Sequence, residues 1–171
     1  MDYVHYYKSP LGGITLASDG TALTGLWFDG QKYFGYTLSK DYEQKELPVF
    51  QQAVHWLTVY FSGREPDFIP DISLNATPFR KAVWEILLAI PYGRTMTYGE
   101  IAKKIAKQKG LSKMSAQAVG GAVGHNPVSL MIPCHRVVGA DGSLTGYAGG
   151  VDLKEKLLLL EKTEIPDFFN Q

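Results

Sequence analysis

The chain changes its hydrophobic pattern at residues 75–78, Asn-Ala-Thr-Pro, and this change limits the folds it can adopt. Before this point, β-branched and aromatic runs alternate with turn signals, as at residues 3–7, 13–18 and 22–28. After it, apolar residues recur at helical spacing. A proline biases its predecessor away from the helical region, so residues 75–78 are typical of a linker. We therefore predict an α+β protein with two domains, residues 1–75 and 76–165.

The first 75 residues predict a small antiparallel sheet covered by one helix. The turn signals Ser9-Pro10-Leu11-Gly12 and Asp19-Gly20 separate the three β-type runs. From Pro48 to Ser62, apolar residues recur at helical spacing, and Gly63 is a stop signal. One helix then covers one face of a three-stranded meander.

The second part predicts mostly helices. An amphipathic helix begins at Phe79 and ends at Pro91-Tyr92-Gly93. Thr97-Tyr98-Gly99-Glu100 has capping-box spacing and opens a second helix, and a third runs from Ser115 to Gly124. Two short helices joined by a tight loop favour a helix-turn-helix. A further capping-box pattern, Asp152-Leu153-Lys154-Glu155, opens a last apolar helix.

The net charge is zero, but the charges are segregated along the chain. Residues 79–139 carry nine Lys/Arg and two Asp/Glu, a local net charge of +7, whereas residues 1–78 and 140–171 are acidic. A basic block of this kind favours phosphate binding, although a solvated basic surface gives the same count.

Composition excludes several other classes of protein. No run reaches the roughly 18 consecutive apolar residues of a membrane span, and the N-terminus lacks the layout of a signal peptide. One cysteine cannot form an internal disulfide, and the four histidines have no metal-ligand spacing. We expect a cytoplasmic protein with no structural metal and no membrane partner.

The only cysteine, Cys134, lies between Pro133 and His135 in a run apolar enough to predict a buried strand. A lone cysteine is more often a small buried hydrophobic residue than a nucleophile. Here, however, His135 and Arg136 follow it directly, and nearby cations favour the nucleophilic thiolate. Adjacent residues of a strand point to opposite faces, so in a strand His135 reaches the sulfur only through a water or a kinked backbone.

The segment Pro133-Cys134-His135-Arg136-Val137-Val138-Gly139, with Gly146-Tyr147-Ala148-Gly149-Gly150, closely resembles the O6-alkylguanine-DNA alkyltransferases. The resemblance extends from Phe79 to about Glu161, and the first 78 residues match only in layout. It implies a ribonuclease H-like N-terminal domain followed by a winged helix-turn-helix domain. It also implies a monomer that binds double-stranded DNA, flips out an alkylated guanine, and moves the alkyl group to its own cysteine in one irreversible turnover without a cofactor. O4-alkylthymine is a second candidate substrate.

The resemblance also implies roles for individual residues. Cys134 would accept the alkyl group, His135 would take the thiol proton through a water, and Glu161 would hold that histidine. Asn126 would brace the turn, and Tyr98 would donate toward the departing guanine. Backbone groups of Val137 and of the loop Gly146-Tyr147-Ala148-Gly149-Gly150 would contact the base edge, and Tyr147 would wall the pocket. The remaining residues implied in substrate or DNA binding are Gln117, Val119, Gly120 and Arg136.

Gln117 departs from the family pattern, which usually has an intercalating arginine at this position of the recognition helix. A neutral amide can fill the vacated stack, but it offers neither phosphate attraction nor a flat guanidinium. We therefore expect weaker DNA binding or slower base flipping, with Lys113 as one candidate for compensation.

Two alternatives from other classes remain at this point. A non-catalytic reader of alkylated DNA or a helix-turn-helix regulator would share the DNA-binding fold, but such readers lack the acceptor cysteine. A small-molecule thiol hydrolase would use Cys134 and His135 and would regenerate its thiol. The basic block favours a DNA substrate over a small molecule.

Overall fold

A computed structural model describes residues 1–162 of the chain and divides it into two compact units. The first unit is Met1–Asn75 with Pro127–Met131, and the second is Ala76–Asn126 with the residues from Ile132 on. The segment Pro127–Met131 belongs to the first unit because it forms two hydrogen bonds with Leu26. The Leu26 N–H donates to the carbonyl of Pro127 (2.8 Å), and the Leu26 carbonyl accepts from the Ser129 N–H (3.0 Å). The second domain predicted from the sequence includes this segment, and its residues 163–165 lie outside the described residues.

The first unit contains a four-stranded sheet and one helix. Its elements are β1 (Asp2–Ser9), β2 (Gly12–Ser18), β3 (Leu23–Phe28), β4 (Tyr42–Gln44) and α1 (Pro48–Phe61). The strand order is β3-β2-β1-β4, in which β1, β2 and β3 pair antiparallel, as the turn signals predict. The edge strand β4 pairs parallel with β1, and no pattern in the sequence predicts it.

Both faces of this sheet are covered near its centre. Helix α1 packs on β1 and β2, where the ring of Phe50 stacks on that of His5 at 5.7 Å. On the other face, Trp27 packs with Val4, Ala17 and Leu38. Since both its faces are covered, the central strand β2 is buried at five consecutive positions instead of alternating.

The second unit is mainly helical. Its elements are α2 (Pro78–Leu88), β5 (Met96–Thr97), α3 (Tyr98–Lys109), α4 (Ala116–Gly124), a single 3-10 turn (Cys134–Arg136, called the 134–136 turn below), β6 (Val137–Val138) and α5 (Val151–Leu160). Three of the helices begin at hydroxyl caps. The side chains of Thr77, Thr97 and Ser115 accept hydrogen bonds from backbone N–H groups in the first turns of α2, α3 and α4.

Helices α2, α3 and α4 pack on one another, and α3 and α4 are the two helices of the predicted helix-turn-helix. Helix α3 ends at Gly110, whose left-handed conformation (φ 66°) suits glycine. The indole N–H of Trp84 donates to the carbonyl of Ala122 (2.8 Å), which fixes α2 against α4. None of the helices within residues 1–162 is long and apolar enough to span a membrane.

Two local predictions are wrong. The run from Ile132 to Val138 is mostly not a strand, because the 134–136 turn occupies its centre and only Val137–Val138 form a short strand. Helix α5 begins at Val151 with Gly150 as its N-cap, so Asp152 lies in the first turn and does not cap the helix.

Candidate active site

The backbone around Cys134 is set by Pro133. Its φ of −81° and ψ of 66° form an inverse γ-turn, in which the Cys134 N–H donates to the carbonyl of Ile132 (2.8 Å). The N–H of Arg136 then donates to the carbonyl of Pro133 (3.0 Å) and continues the bend as a 3-10 turn. Cys134 and His135 therefore do not alternate between the two faces of a strand.

Asn126 braces this turn from the end of helix α4. Its side-chain amide donates to the carbonyl of Ile132 (2.7 Å), the same oxygen that accepts from the Cys134 N–H. Asn126 is buried, so this bond pairs a side-chain amide away from water. The sequence predicts a bracing role for Asn126, and the contact identifies the atom that it holds.

His135 and Arg136 share a buried carboxylate. The Nε2 atom of His135 lies 2.6 Å from Oε2 of Glu161. Arg136 donates from Nε to Oε1 of Glu161 (2.8 Å), from Nη2 to Oε2 (3.2 Å), and from Nη1 to the carbonyl of Ile90 (2.8 Å). The exposed fractions of His135 and Glu161 are 0% and 2%, so this network is closed to solvent.

Burial and charge set the protonation of this network. Burial lowers the pKa of His135 below its ordinary 6.5; the carboxylate of Glu161 opposes this shift, while the charges of Arg136 and Lys154 add to it. Burial acts to raise the pKa of Glu161, but the hydrogen bonds and charges of His135 and Arg136 outweigh it and lower the pKa from 4.5 to about 2. At neutral pH the carboxylate is ionised and can only accept, so the Nε2–H of a neutral His135 donates to it.

Tyr98 is brought toward Cys134 by a parallel strand pair. In this pair Met96 aligns with Val137 and Thr97 with Val138, so the start of α3 and the end of the 134–136 turn are adjacent. The Tyr98 hydroxyl donates to the carbonyl of Thr145 (3.3 Å). Burial, with a smaller effect from the charge of Cys134, raises the pKa of Tyr98 to about 12, so its phenol is a proton-bearing donor at neutral pH.

The loop from Gly146 to Gly150 has close approaches that require glycine. A Cβ atom on Gly146 would lie 2.7 Å from the Tyr98 hydroxyl, and its φ of 92° is in the region that favours glycine. A Cβ atom on Gly149 would lie 2.7 Å from the Tyr147 ring. Tyr147 is buried, and its hydroxyl has no hydrogen-bond partner in the part of the chain that the structure describes.

The residues that the sequence predicts at the DNA or substrate surface fall into two groups. Gln117 is exposed on α4, and Gly120, Ala148 and Gly149 are partly exposed. The side chains of Val119 and Val137 are fully buried, and Val137 also pairs with Met96 in the strand ladder. Their side chains are therefore not available for contact, which leaves the main chain of Val137 as its predicted contact with the base.

For Arg136 the structure points to a different role from the predicted DNA contact. All three of its guanidinium nitrogens donate to Glu161 or Ile90, and its exposed fraction is 9%. The cation is already matched by a buried carboxylate, so it is not available to phosphates.

The structure also buries Lys154, to which the sequence analysis gives no functional role. Lys154 lies on the inward face of α5 with Leu157, Leu158 and Glu161. These positions are spaced i, i+3, i+4, i+7, so the sequence already contains a signal for the burial of Lys154: a lysine on the apolar stripe of a helix.

Within residues 1–162, no three His, Cys, Asp or Glu side chains are grouped so that they could hold a metal ion.

Two family profiles match this chain. The profile described as "6-O-methylguanine DNA methyltransferase, ribonuclease-like domain" matches residues 3–74. The profile described as "6-O-methylguanine DNA methyltransferase, DNA binding domain" matches residues 78–163. Together they span both units and the whole of the site described above.

Individual proteins match over most of their length. A methylated-DNA–protein-cysteine methyltransferase of Mycobacterium bovis is 43% identical over 165 residues, which cover 95% of each chain. One from Haemophilus influenzae is 43% identical and covers 94% of this chain and 86% of its own. The crystal structure of Mycobacterium tuberculosis OGT in complex with DNA superposes with a TM-score of 0.82 at 41% identity and covers 94% of this chain and 92% of its own.

Proposed function

The chain belongs to the 6-O-methylguanine DNA methyltransferase family of DNA-repair proteins, which transfer an alkyl group from DNA to a protein cysteine, and on that premise we propose that Cys134 is the acceptor. Cys134 is the only cysteine of the sequence. It precedes a histidine that is held by a buried carboxylate, and this is the single observation that carries the assignment.

The reaction forms one bond and breaks one. The Cys134 sulfur attacks the alkyl carbon in line, the carbon–O6 bond breaks, and the electron pair leaves with O6 of the guanine. The thiol first gives its proton to Nδ1 of His135, directly or through a water, because Nε2 carries the hydrogen that is donated to Glu161. The product is a thioether, which water does not cleave, so each molecule reacts once.

The departing guanine needs a proton or a hydrogen bond as negative charge develops on it. Tyr98 is a suitable donor, because its phenol stays protonated at neutral pH and lies next to the loop from Gly146 to Gly150. Main-chain groups of that loop, at Ala148 and Gly149, are partly exposed and provide the edge against which the base would rest.

The substrate base has to leave the duplex to reach the sulfur. Cys134 is buried with an exposed fraction of 4%, and a guanine stacked inside a helix cannot approach it. Flipping the base out of the duplex would bring it to the sulfur. The unpairing and unstacking cost a few kcal/mol, and this cost is smaller for an alkylated base that pairs poorly. Gln117, exposed in the first turn of α4, is the side chain we assign to the space that the flipped base leaves.

The alkylated base is O6-alkylguanine, and O4-alkylthymine is a second candidate because it also carries an alkyl group on an exocyclic oxygen of the base. We also propose a cytoplasmic location, because the reaction requires a reduced thiol and the cytosol keeps thiols reduced.

Intact mass spectrometry tests the acceptor directly. The protein is incubated with duplex DNA that carries O6-methylguanine, and peptide mapping then locates any added mass. We expect one methyl group on Cys134, absent after incubation with unmodified duplex and absent from Cys134→Ser. Binding that depends on the damage, without any gain in mass, would overturn the proposal and identify a reader of alkylated DNA.

A further inference from the structure

Helix α5 carries a buried ammonium group into the site. The side chain of Lys154 has an exposed fraction of 0%, and its Nζ has no hydrogen-bond partner among residues 1–162. Its Nζ lies 6.0 Å from the centroid of the Tyr98 ring. A cation–π contact at this distance is weak compensation for the loss of water around a charge.

A buried cation without a hydrogen-bonding anion is costly, because removal from water penalises the charged form. Burial accordingly lowers the pKa of Lys154 from 10.5 to about 8, whereas the charge of Cys134 acts to raise it. The group therefore remains mostly protonated at neutral pH. A stability cost that is retained at a reactive site points to a functional use of the charge.

The charges around Cys134 leave a surplus of one positive charge. The titratable and charged groups that face Lys154 and Cys134 are Tyr98 from α3, Cys134, His135 and Arg136 from the 134–136 turn, Tyr147 from the glycine-rich loop, and Glu161 at the end of α5. Arg136 and Glu161 neutralise each other, and both tyrosines and His135 are neutral at pH 7. Only the ammonium of Lys154 is left, so it stabilises negative charge on the sulfur together with the imidazolium that forms when His135 takes the thiol proton.

We propose that Lys154 is the charge-compensating residue of the alkyl-transfer site, and that its buried ammonium balances the Cys134 thiolate before transfer and the departing guanine during transfer. The inference rests on the proposed role of Cys134 as acceptor. As the sulfur–carbon bond forms and the carbon–O6 bond breaks, one negative charge moves from sulfur to the base. Because Lys154 interacts electrostatically with Cys134, its fixed cation compensates the charge on the sulfur and then the charge on the base that reacts there.

The first test measures the reactivity of the Cys134 thiol and needs no DNA. The rate at which iodoacetamide alkylates Cys134 is followed as a function of pH, and since the chain has one cysteine, the signal belongs to that residue alone. In Lys154→Met, the midpoint of this profile is expected to move to higher pH, with a roughly tenfold lower rate at neutral pH. Lys154→Gln, a second neutral variant, should show the same shift, and Lys154→Arg should restore the wild-type profile.

Stability separates this role from a structural one. Because Lys154→Met removes a buried charge and fills the same space, we expect a higher melting temperature together with the less reactive thiol. Lys156→Met, at an exposed position of the same helix, is the matched control and should change neither. An unchanged pH profile in folded Lys154→Met and Lys154→Gln would overturn the inference. If the wild-type protein failed to transfer the alkyl group from DNA although its Cys134 thiol reacted normally with iodoacetamide, that result would instead contradict the proposed function.

Discussion

His135 and Glu161 are 26 positions apart in the sequence, yet Nε2 of the histidine lies 2.6 Å from Oε2 of the glutamate. The same carboxylate also accepts two hydrogen bonds from Arg136. One buried side chain therefore orients the proposed base and neutralises the neighbouring cation, so its removal should affect both catalysis and stability.

Glu161→Gln is expected to lower the free energy of unfolding by roughly 3–5 kcal/mol, because it leaves the Arg136 guanidinium buried without a counter-charge. The rate of a single alkyl transfer should also fall, since the amide can present its NH₂ to His135 and select the wrong tautomer. Urea unfolding and single-turnover kinetics on methylated duplex measure the two effects. Glu155→Gln on the same helix is the control, and equal stability of the two variants would contradict the assigned role.

The unfolding free energy should fall in acid in two steps. The pKa of His135 is depressed in the folded protein, so the unfolded chain takes up a proton first and stability begins to fall below about pH 6.5. The pKa of Glu161 is also depressed, from 4.5 to about 2, so its contribution is present above pH 4.5 and is lost as the pH falls toward 2. Urea unfolding at a series of pH values measures this profile. Glu161→Gln should remove the lower step, and a wild-type stability that is flat between pH 4.5 and pH 2 would contradict the assignment.

Arg136→Lys tests whether this residue is structural or contacts DNA. Lysine keeps the charge but cannot form the three hydrogen bonds to Glu161 and Ile90, so we expect a loss of at least roughly 1.5–3 kcal/mol in unfolding free energy. The salt dependence of DNA binding should stay as in the wild type, because no phosphate contact is removed. A shallower salt dependence with unchanged stability would show that Arg136 does bind phosphate.

Gly146→Ala tests the close approach between the glycine-rich loop and Tyr98. The new Cβ would lie 2.7 Å from the Tyr98 hydroxyl, and a φ of 92° adds strain of roughly 1–3 kcal/mol for alanine. Gly150→Ala is matched in backbone strain, with a φ of 91°, but its Cβ meets nothing within 4 Å. We expect similar losses of stability in both variants and slower alkyl transfer only in Gly146→Ala. Equal transfer rates would rule out a role for the position of Tyr98.

Gln117→Arg introduces, in the first turn of α4, the arginine that the family resemblance leads us to expect there. We expect the affinity for methylated duplex to rise about fivefold, or ~1 kcal/mol, because a charged donor replaces a neutral one. The reaction of Cys134 with iodoacetamide should not change. Gln52→Arg adds the same charge at an exposed position of α1 and serves as the control. No gain in affinity or in repair rate over this control would show that Gln117 does not limit DNA binding.

Local patterns in the sequence specify most of the helices and strands. The β-branched and aromatic runs with their turn signals predict β1, β2 and β3. Apolar spacing predicts α1, α2 and α4, and a capping box predicts the start of α3. The motif around Cys134 indicates the family, which the comparisons confirm. These features depend on residues that are close in the sequence, so they can be predicted without knowledge of the fold.

Features that depend on distant contacts were decided only by the tertiary structure. The parallel pairing of β4 with β1 joins segments about 40 residues apart. The apolar run around Cys134 predicts a strand, but the inverse γ-turn at Pro133 and the bond from Asn126 hold it as a 3-10 turn. Whether Arg136 reaches DNA or Glu161, and whether Lys154 contacts water or the site, depends on what packs against each side chain. The sequence determines which charges are present, but only packing decides which of them lose their water and find a partner.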